Sequence, residues 1–201
     1  MKNETERQIL EAAKKVFIAK GFDGARMQEI ADEANINKAM LHYYFRSKDL
    51  LFETILVTAM EGIMPLLVEA LSGDGTVMEK IERLVDAYMD NIIEQPHIPL
   101  FLLHELSQRR LKVASSMVER MRKVEQPNRF MQQISDEVNA GMIRTFDPRQ
   151  VMMNIMGLII FPFVGRPIFK NIFQLGDQEY RALMMERKQV IKDFVRSALS
   201  P

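Results

Sequence analysis

Residues 27–48 read MQEIADEANINKAMLHYYFRSK, and this stretch decides the fold that we expect for the chain. Its apolar residues recur at helical spacing, which predicts two short helices over residues 27–34 and 38–45. Leu41 and Phe45 lie one helical turn apart and would anchor the second helix to a core. Two short helices joined by a tight turn are typical of a helix-turn-helix, a module whose second helix enters the major groove of DNA.

The turn between these helices is Asn35-Ile36-Asn37. A residue with positive φ has to close the first helix, and Asn is the best choice after Gly. Ile36 provides an apolar plug. Asn37 suits the N-cap of the second helix because its amide oxygen can accept a free backbone N–H. Three consecutive residues therefore meet three different requirements of the motif.

The outer side of the second helix predicts a contact surface. It carries a lysine, a histidine and two adjacent tyrosines but no acid, which a plain solvated face does not explain. In a major groove, Lys and His reach base edges or phosphates, and aromatic rings meet thymine methyl groups. The predicted recognition residues are Lys38, Ala39, Met40, His42, Tyr43 and Tyr44.

Lys48 looks misplaced by local rules. Ser47 predicts the cap of the next helix and places Lys48 in its first turn, where a cation opposes the helix dipole at a cost of roughly 0.3–1 kcal/mol. A phosphate held by Lys48 and the helix-end N–H groups would reverse this cost. The alternative is that Lys48 is simply solvated.

The order Ile-Ala-x-x-Ala, turn, Leu-x-x-x-Phe-x-Ser-Lys-x-x-Leu resembles the TetR (tetracycline repressor)/AcrR family of transcriptional regulators over about residues 5–56. The rest of the chain agrees with that family only in length and helical character. The resemblance implies an all-α, Ω-shaped homodimer with small N-terminal DNA-binding domains and a helical effector domain. It also implies DNA contacts along the recognition helix and a phosphate contact at Lys48.

The chain departs from the family pattern at four points. Ala25-Arg26 stands where Thr or Ser usually opens the first helix of the motif, so the N-cap of that helix is weak. The phosphate contact of that Thr or Ser would have to come from Arg26 instead. Asn35 and Asn37 replace Gly and Ser and are physically equivalent. His42 replaces Tyr, so base preference does not transfer. The predicted DNA-binding set is Arg26, Gln28, Lys38, Ala39, Met40, His42, Tyr43, Tyr44 and Lys48.

The charge balance gives DNA binding little general support. The 201 residues contain 27 basic and 27 acidic side chains. Residues 1–52 contain nine Lys/Arg and eight Asp/Glu, a balance of +1. The large basic field of many nucleic-acid binders is therefore absent, and affinity would have to come from a few placed cations and from pairing two modules.

Composition and motifs exclude several other classes. Without Cys there are no disulfides, thiolate metal sites or Cys nucleophiles. The opening residues are polar, and the longest apolar run, 155–164, is about half a membrane span, so we expect a soluble, cytoplasmic protein that makes no membrane contact. No phosphate loop, Gly-x-Ser-x-Gly or HExxH motif occurs. We predict no catalytic residues, cofactor or metal.

The expected fold is all-α, with a helix-turn-helix DNA-binding domain over residues 1–47 and a helical ligand-binding and dimerisation domain over residues 48–201. Pro65 and Pro127 predict a kink or break in the helices that contain them, and 162–176 a short, irregular or partly helical connection. The predicted helices are 4–20, 27–34, 38–45, 48–71, 76–94, 100–106, 114–143, 150–161 and 177–199.

Thirteen of the sixteen Met residues follow residue 52, and flexible Met side chains suit pockets for apolar ligands. Each such residue could instead be ordinary core. His104 or Glu105 could serve as a polar anchor in a pocket. The predicted pocket residues are Met60, Met64, Phe101, His104, Met117, Met121, Phe130 and Met156.

Residues 150–161 are apolar almost all round, so this helix should be buried on more than one side. Together with residues 177–199 it predicts a four-helix bundle formed with a second copy across a twofold axis. The predicted interface residues are Met152, Ile155, Ile159, Leu183, Val190, Ile191 and Phe194.

The sequence thus predicts a homodimeric, sequence-specific DNA-binding regulator. It would be a repressor that a small apolar or amphipathic molecule releases from a palindromic operator on double-stranded DNA. The alternative is a helical small-molecule- or partner-binding protein whose DNA-reading head no longer functions. The near-zero charge and the weak Ala25-Arg26 opening favour that alternative. An enzyme is not expected.

Overall fold

The computed structural model describes residues 4–96, 98–100, 103 and 124–201, apart from the side chain of Met60. Within these residues the regular secondary structure is helical, without strands, which confirms the all-α prediction. The helices are α1 (Glu4–Gly24), α2 (Met27–Glu33), α3 (Lys38–Tyr44), α4 (Lys48–Leu71), α5 (Val77–Glu94), α6 (Gln126–Asn139), α7 (Pro148–Val164), α8 (Arg166–Phe173) and α9 (Asp177–Leu199).

The first core joins α1, α2 and α3 to the beginning of α4. Three phenylalanines lie at its centre: the ring centroid of Phe52 is 5.0 Å from that of Phe17 and 4.8 Å from that of Phe22, both edge-on. Phe22 stacks on Phe17 at 5.9 Å, so it packs back onto α1 as predicted. Aromatic burial of this kind holds a small domain together. We call α1–α3 and the first turns of α4 the head.

Gly21 interrupts α1 at the predicted place. Its φ is +68° and its ψ is 174°, outside the helical region, and one further turn follows as far as Gly24. A side chain at positive φ is strained, which is why Gly suits this position. The break lets the chain turn and places Phe22 against the core.

Helix α4 has the predicted bounds and takes part in both cores. Leu51 and Ile55 are buried in the head, whereas Leu67 and Leu71 are buried in the second core. The helix is continuous through Pro65, and the predicted kink there stays a prediction, as does the domain boundary at residues 47/48. Among the described helices, α4 is long and apolar enough to cross a membrane, and so is the pair α7–α8 if it is counted as one span with a bend of 69°. Both ends of α4, however, lie in protein cores.

The second core forms around α5, which packs against α4, α6, α7 and α9. We call the helices of the second core the second domain. The loop before α5 ends in a cap: the Glu79 carboxylate accepts the Thr76 N–H at 2.7 Å, and the Thr76 hydroxyl accepts the Glu79 N–H at 3.3 Å. The Val77 N–H donates to the buried Glu137 carboxylate at 2.8 Å. This bond attaches α6 to the start of α5.

The break predicted at Pro127 lies just before α6, since residues 124 and 125 are not helical and Pro127 occupies the first turn of that helix, where its missing N–H has no partner to lose. Helix α6 ends at Asn139, earlier than predicted, and Gly141 follows with φ +67°. The part of the predicted 114–143 helix before residue 124 and most of the predicted 100–106 helix lie outside the described residues.

The segment predicted as a partly helical connection, 162–176, is mostly helical. Pro162 lies within α7 and cannot donate to the Leu158 carbonyl, but Arg187 of α9 donates there from Nε at 3.2 Å and Nη2 at 3.1 Å. The Tyr180 hydroxyl donates to the Pro162 carbonyl at 2.6 Å. Two α9 side chains thus satisfy carbonyls near the end of α7. Asp147 caps α7 as predicted, accepting the Arg149 N–H at 2.8 Å.

A row of ion pairs runs between the antiparallel helices α5 and α9. Lys188 donates to Asp90 at 2.8 Å and Lys192 to Asp86 at 2.6 Å. Exposed pairs of this kind contribute little individually, but here they follow one another along the two helices. The row also includes Lys188–Asp86, Arg181–Glu94 and Arg196–Glu82.

Candidate nucleic-acid interface

The turn that presents α3 has the predicted geometry. Asn35 has a φ of +51°, and the Asn37 side chain accepts the Met40 N–H at 2.7 Å. Leu41 is fully buried and Phe45 is 4% exposed, so both anchor α3 to the head. A short helix held at its start, inner face and end is a rigid platform for side chains that point away from it.

The outer face of α3 is open to solvent. Lys38, Ala39, Met40, His42 and Tyr43 are all exposed, and the exposed fraction of Tyr43 is 83%. Tyr44 is half-buried, and its ring lies edge-on to that of Tyr43 at 5.4 Å. Exposed tyrosines beside a lysine and a histidine offer apolar contact and hydrogen bonds to a groove. The six predicted recognition residues therefore share one accessible surface.

Arg26 and Gln28 lie at the start of α2. Arg26 occupies the N-cap position without a side-chain cap bond, because its side chain has no acceptor. Only half of a capping box forms: Glu29 accepts the Arg26 N–H at 3.3 Å. The predicted weak cap is confirmed. Gln28 is exposed and donates to Asp32 at 2.8 Å, so part of its amide is already used within α2.

Lys48 has partners within the head. Its ammonium donates to the carbonyls of Phe22 at 2.8 Å and Ala25 at 3.0 Å, and it lies 4.4 Å from the centroid of the Phe22 ring. The alternative in which Lys48 is simply solvated was therefore wrong. Lys48 ties the connection between α1 and α2 to the start of α4. A phosphate contact by its remaining N–H stays a prediction.

Most of the predicted effector pocket cannot be compared with the structure. Phe101, His104, Met117, Met121 and the side chain of Met60 lie outside the described residues, as do His97 and Glu105. Of the others, Phe130 is 1% exposed and belongs to the second core, while Met64 and Met156 are partly buried against it. The pocket remains a prediction.

The predicted dimer-interface residues divide into two groups. Ile155, Ile159 and Ile191 are at most 1% exposed within the chain itself, so naming them as contacts with a second copy was wrong. Met152 is partly buried against the same core. The other group is solvent-facing: Leu183, Val190 and Phe194 are exposed by 37%, 57% and 60%, and their place in a dimer interface stays a prediction.

These three exposed residues line an apolar groove between α7, α8 and α9, with a volume of about 880 Å³. Sequence reasoning did not name Met153 and Phe161, which are 58% and 60% exposed on its α7 side. Because α7 is apolar almost all round, the period of its apolar residues does not distinguish its buried face from its open one. Only the packing of the neighbouring helices makes that distinction.

Two family models match the chain. The model of bacterial regulatory proteins, tetR family, matches residues 9–55. The model of the tetracyclin repressor-like C-terminal domain matches residues 78–195. The first match covers the α3 surface and the second covers the groove.

Individual proteins show the same likeness. The HTH-type transcriptional activator FasR of Mycolicibacterium smegmatis is 31% identical over 91 residues, 45% of this chain and 42% of FasR. The matched segment thus spans less than half of that relative. The ketosteroid transcriptional regulator KstR2 of Mycobacterium tuberculosis has a TM-score of 0.74 at 15% identity, covering 100% of this chain and 97% of KstR2.

A further solved structure is AibR in complex with isovaleryl coenzyme A and operator DNA. It has a TM-score of 0.73 at 19% identity and covers 98% of this chain and all of that chain. At such identities the likeness to KstR2 and AibR shows a shared fold alone.

Proposed function

Because the chain belongs to the tetR family of bacterial regulatory proteins, we propose that it is a homodimeric repressor of transcription. Two copies bind a palindromic operator, and a small apolar or amphipathic ligand releases them. The protein acts in the cytoplasm, where its DNA lies, and catalyses no reaction.

The observation that carries the DNA-reading part is the open face of α3 on a rigid mount. Tyr43 is 83% exposed on a helix whose opposite side is anchored by Leu41. The ring of Tyr43 lies beside that of Tyr44, and Met40 is exposed on the same helix, so α3 presents a group of apolar side chains and not a single exposed ring. In the proposed complex α3 lies in the major groove, with Lys38 and His42 reaching polar groups and the tyrosines meeting apolar base edges.

The apolar groove supports the dimer. Helices α7, α8 and α9 leave large apolar side chains open along one side of the second domain. A second copy related by a twofold axis covers both grooves at once, because the same patch is used on each chain. The two α3 helices then read half-sites about 34–36 Å apart, which makes affinity depend on the separation of the heads.

Helix α4 supports the ligand-controlled part, because it is common to both cores. A ligand that favours a different position of α4 in the second domain changes the separation of the heads without touching a base contact. AibR was crystallised with isovaleryl coenzyme A and operator DNA, which supports an organic effector here. FasR is named as an activator, so the direction of regulation has to be measured.

Selection of bound duplexes from a random pool tests the proposal. We expect a palindromic consensus, and we expect Tyr43→Ala to weaken binding to it while Ile18→Ala, an exposed change on α1, does not. A reporter gene behind the selected duplex shows whether the protein represses or activates transcription. Repeating the selection with candidate ligands shows which of them releases the protein from DNA. Recovery of no palindrome, or a Tyr43→Ala variant with unchanged affinity, contradicts the DNA-reading part and favours a ligand- or partner-binding protein.

A further inference from the structure

The head has an almost neutral charge, but its cations are not equivalent. Residues 1–52 contain nine Lys and Arg residues. Of those that the structure describes, four form ion pairs with acids of α1 or α2 at 2.7–2.9 Å. These pairs are Arg7–Glu4, Lys14–Glu11, Lys15–Glu33 and Lys20–Glu29.

Two further cations lie beside acceptor oxygens. Lys48 uses the Phe22 and Ala25 carbonyls. The side chain of Arg26 forms no ion pair with the described residues, but its backbone N–H donates to the Glu29 carboxylate at 3.3 Å, so this cation lies beside an acid. The hydrogen bond from Lys20 lowers the pKa of Glu29, and the charge of Arg26 adds to that effect. A cation beside a carboxylate attracts a distant phosphate only weakly, because the opposite charge cancels most of its field.

Lys38 and Arg46 are the cations of the described head that have no ion pair, no side-chain hydrogen bond and no carboxylate bonded to their backbone N–H. Both are exposed. Lys38 is the first residue of α3. Arg46 stands between the buried Phe45, which closes α3, and Ser47, which caps α4. These two exposed cations therefore lie at the two ends of the recognition helix, about 10 Å apart by helix rise.

We propose that Arg46 binds a backbone phosphate at the edge of the groove that α3 enters, opposite the end held by Lys38. The inference rests on DNA reading by α3. Phosphates border a major groove about 12 Å wide, so cations at both ends of an inserted helix are placed to reach them. The planar guanidinium suits this role because it can donate two parallel N–H bonds to one phosphate.

The assignment also explains how a head with a balance of +1 can bind DNA. The paired cations support the fold, whereas Lys38 and Arg46 lie next to the residues that read bases. Binding then depends on a few phosphates instead of a broad basic surface, and each phosphate contact contributes to the salt dependence of the affinity.

The test measures affinity for a mixed-sequence duplex of about 40 base pairs by fluorescence anisotropy, from about 50 to about 200 mM KCl. Arg46→Gln is compared with wild type and with Lys15→Gln, which removes the same charge from a residue paired with Glu33. Loss of one phosphate contact per head lowers the slope of log affinity against log salt by about 1.8 per dimer. The wild-type affinity should therefore fall roughly tenfold more than that of Arg46→Gln over this range.

Lys15→Gln should keep the wild-type slope, and Arg46→Lys should retain most of it. An unchanged slope for Arg46→Gln overturns the role of Arg46 alone, and an equal drop for Lys15→Gln overturns it too, since the effect is then general charge. Failure of the wild type to bind any duplex overturns DNA reading as well. Arg46 forms no hydrogen bond or ion pair with the described residues, so the melting temperature of Arg46→Gln should match wild type and exclude misfolding.

Discussion

The head and the second domain differ in how completely they bury their apolar side chains. The head closes its core within one chain and leaves the outer residues of α3 exposed, on a mount held by Asn37 and Phe45. The second domain buries a larger core around α5 but leaves a groove of Met and Phe side chains open to solvent. The core of the head thus closes within one copy, whereas the helices of the second core leave an apolar groove for the proposed second copy to cover.

A charged residue in the apolar groove should have the largest effect on operator affinity. Phe194→Asp places a charge among the apolar side chains of α9, so we expect a monomer by light scattering and a loss of operator affinity of about 100-fold or more, because the two heads are no longer linked. Ile18→Asp, at an exposed apolar site on α1, is the control and should stay dimeric. A dimeric Phe194→Asp would show that this groove is not the interface.

The buried side of α7 provides the next test. Ile159 is fully buried, so Ile159→Ala should lower the free energy of unfolding by about 2–5 kcal/mol. Met153→Ala, on the open side of the same helix, should change it by no more than about 0.5 kcal/mol. Urea unfolding in the Phe194→Asp background measures both without a contribution from dimer dissociation. Equal losses would mean that the two sides of α7 are not distinct.

Within the head, Lys48→Met should lower the free energy of unfolding by about 1–3 kcal/mol, because two carbonyls lose their donor. Lys38→Met removes an exposed cation without a bond and should leave stability unchanged. Thermal unfolding of the two variants separates the roles. If Lys48→Met melts like wild type, Lys48 is not an internal tie and its importance would lie in DNA contact.

The smallest expected effect is at the cap of α3. Asn37→Ala removes the acceptor of the Met40 N–H and should cost about 1 kcal/mol. Asn128→Ala, an exposed change on α6, is the matched control and should cost less. Chemical unfolding followed by circular dichroism measures both. A result in which Asn128→Ala costs as much would mean that the α3 cap is not specifically stabilising.

Local chemistry predicted much of the DNA-reading side. The cap at Asn37, the positive φ at Asn35 and the beginning of α4 after Ser47 depend on residues within four positions of one another. The ends of α9 at Asp177 and Leu199 were also predictable, because its apolar residues recur at helical spacing between these positions. Such features need no knowledge of the rest of the fold, since their partners lie in the same turn.

What the sequence by itself determined is therefore the all-helical class, the reading motif and the residues that face away from its core. The tertiary structure decided the rest: Lys48 satisfies carbonyls 23 and 26 residues earlier in the chain, and α7 turns Ile159 inward and Phe161 outward. Helical periodicity and capping rules extend over about one turn. Contacts between distant segments depend on how helices pack, which no window of sequence contains.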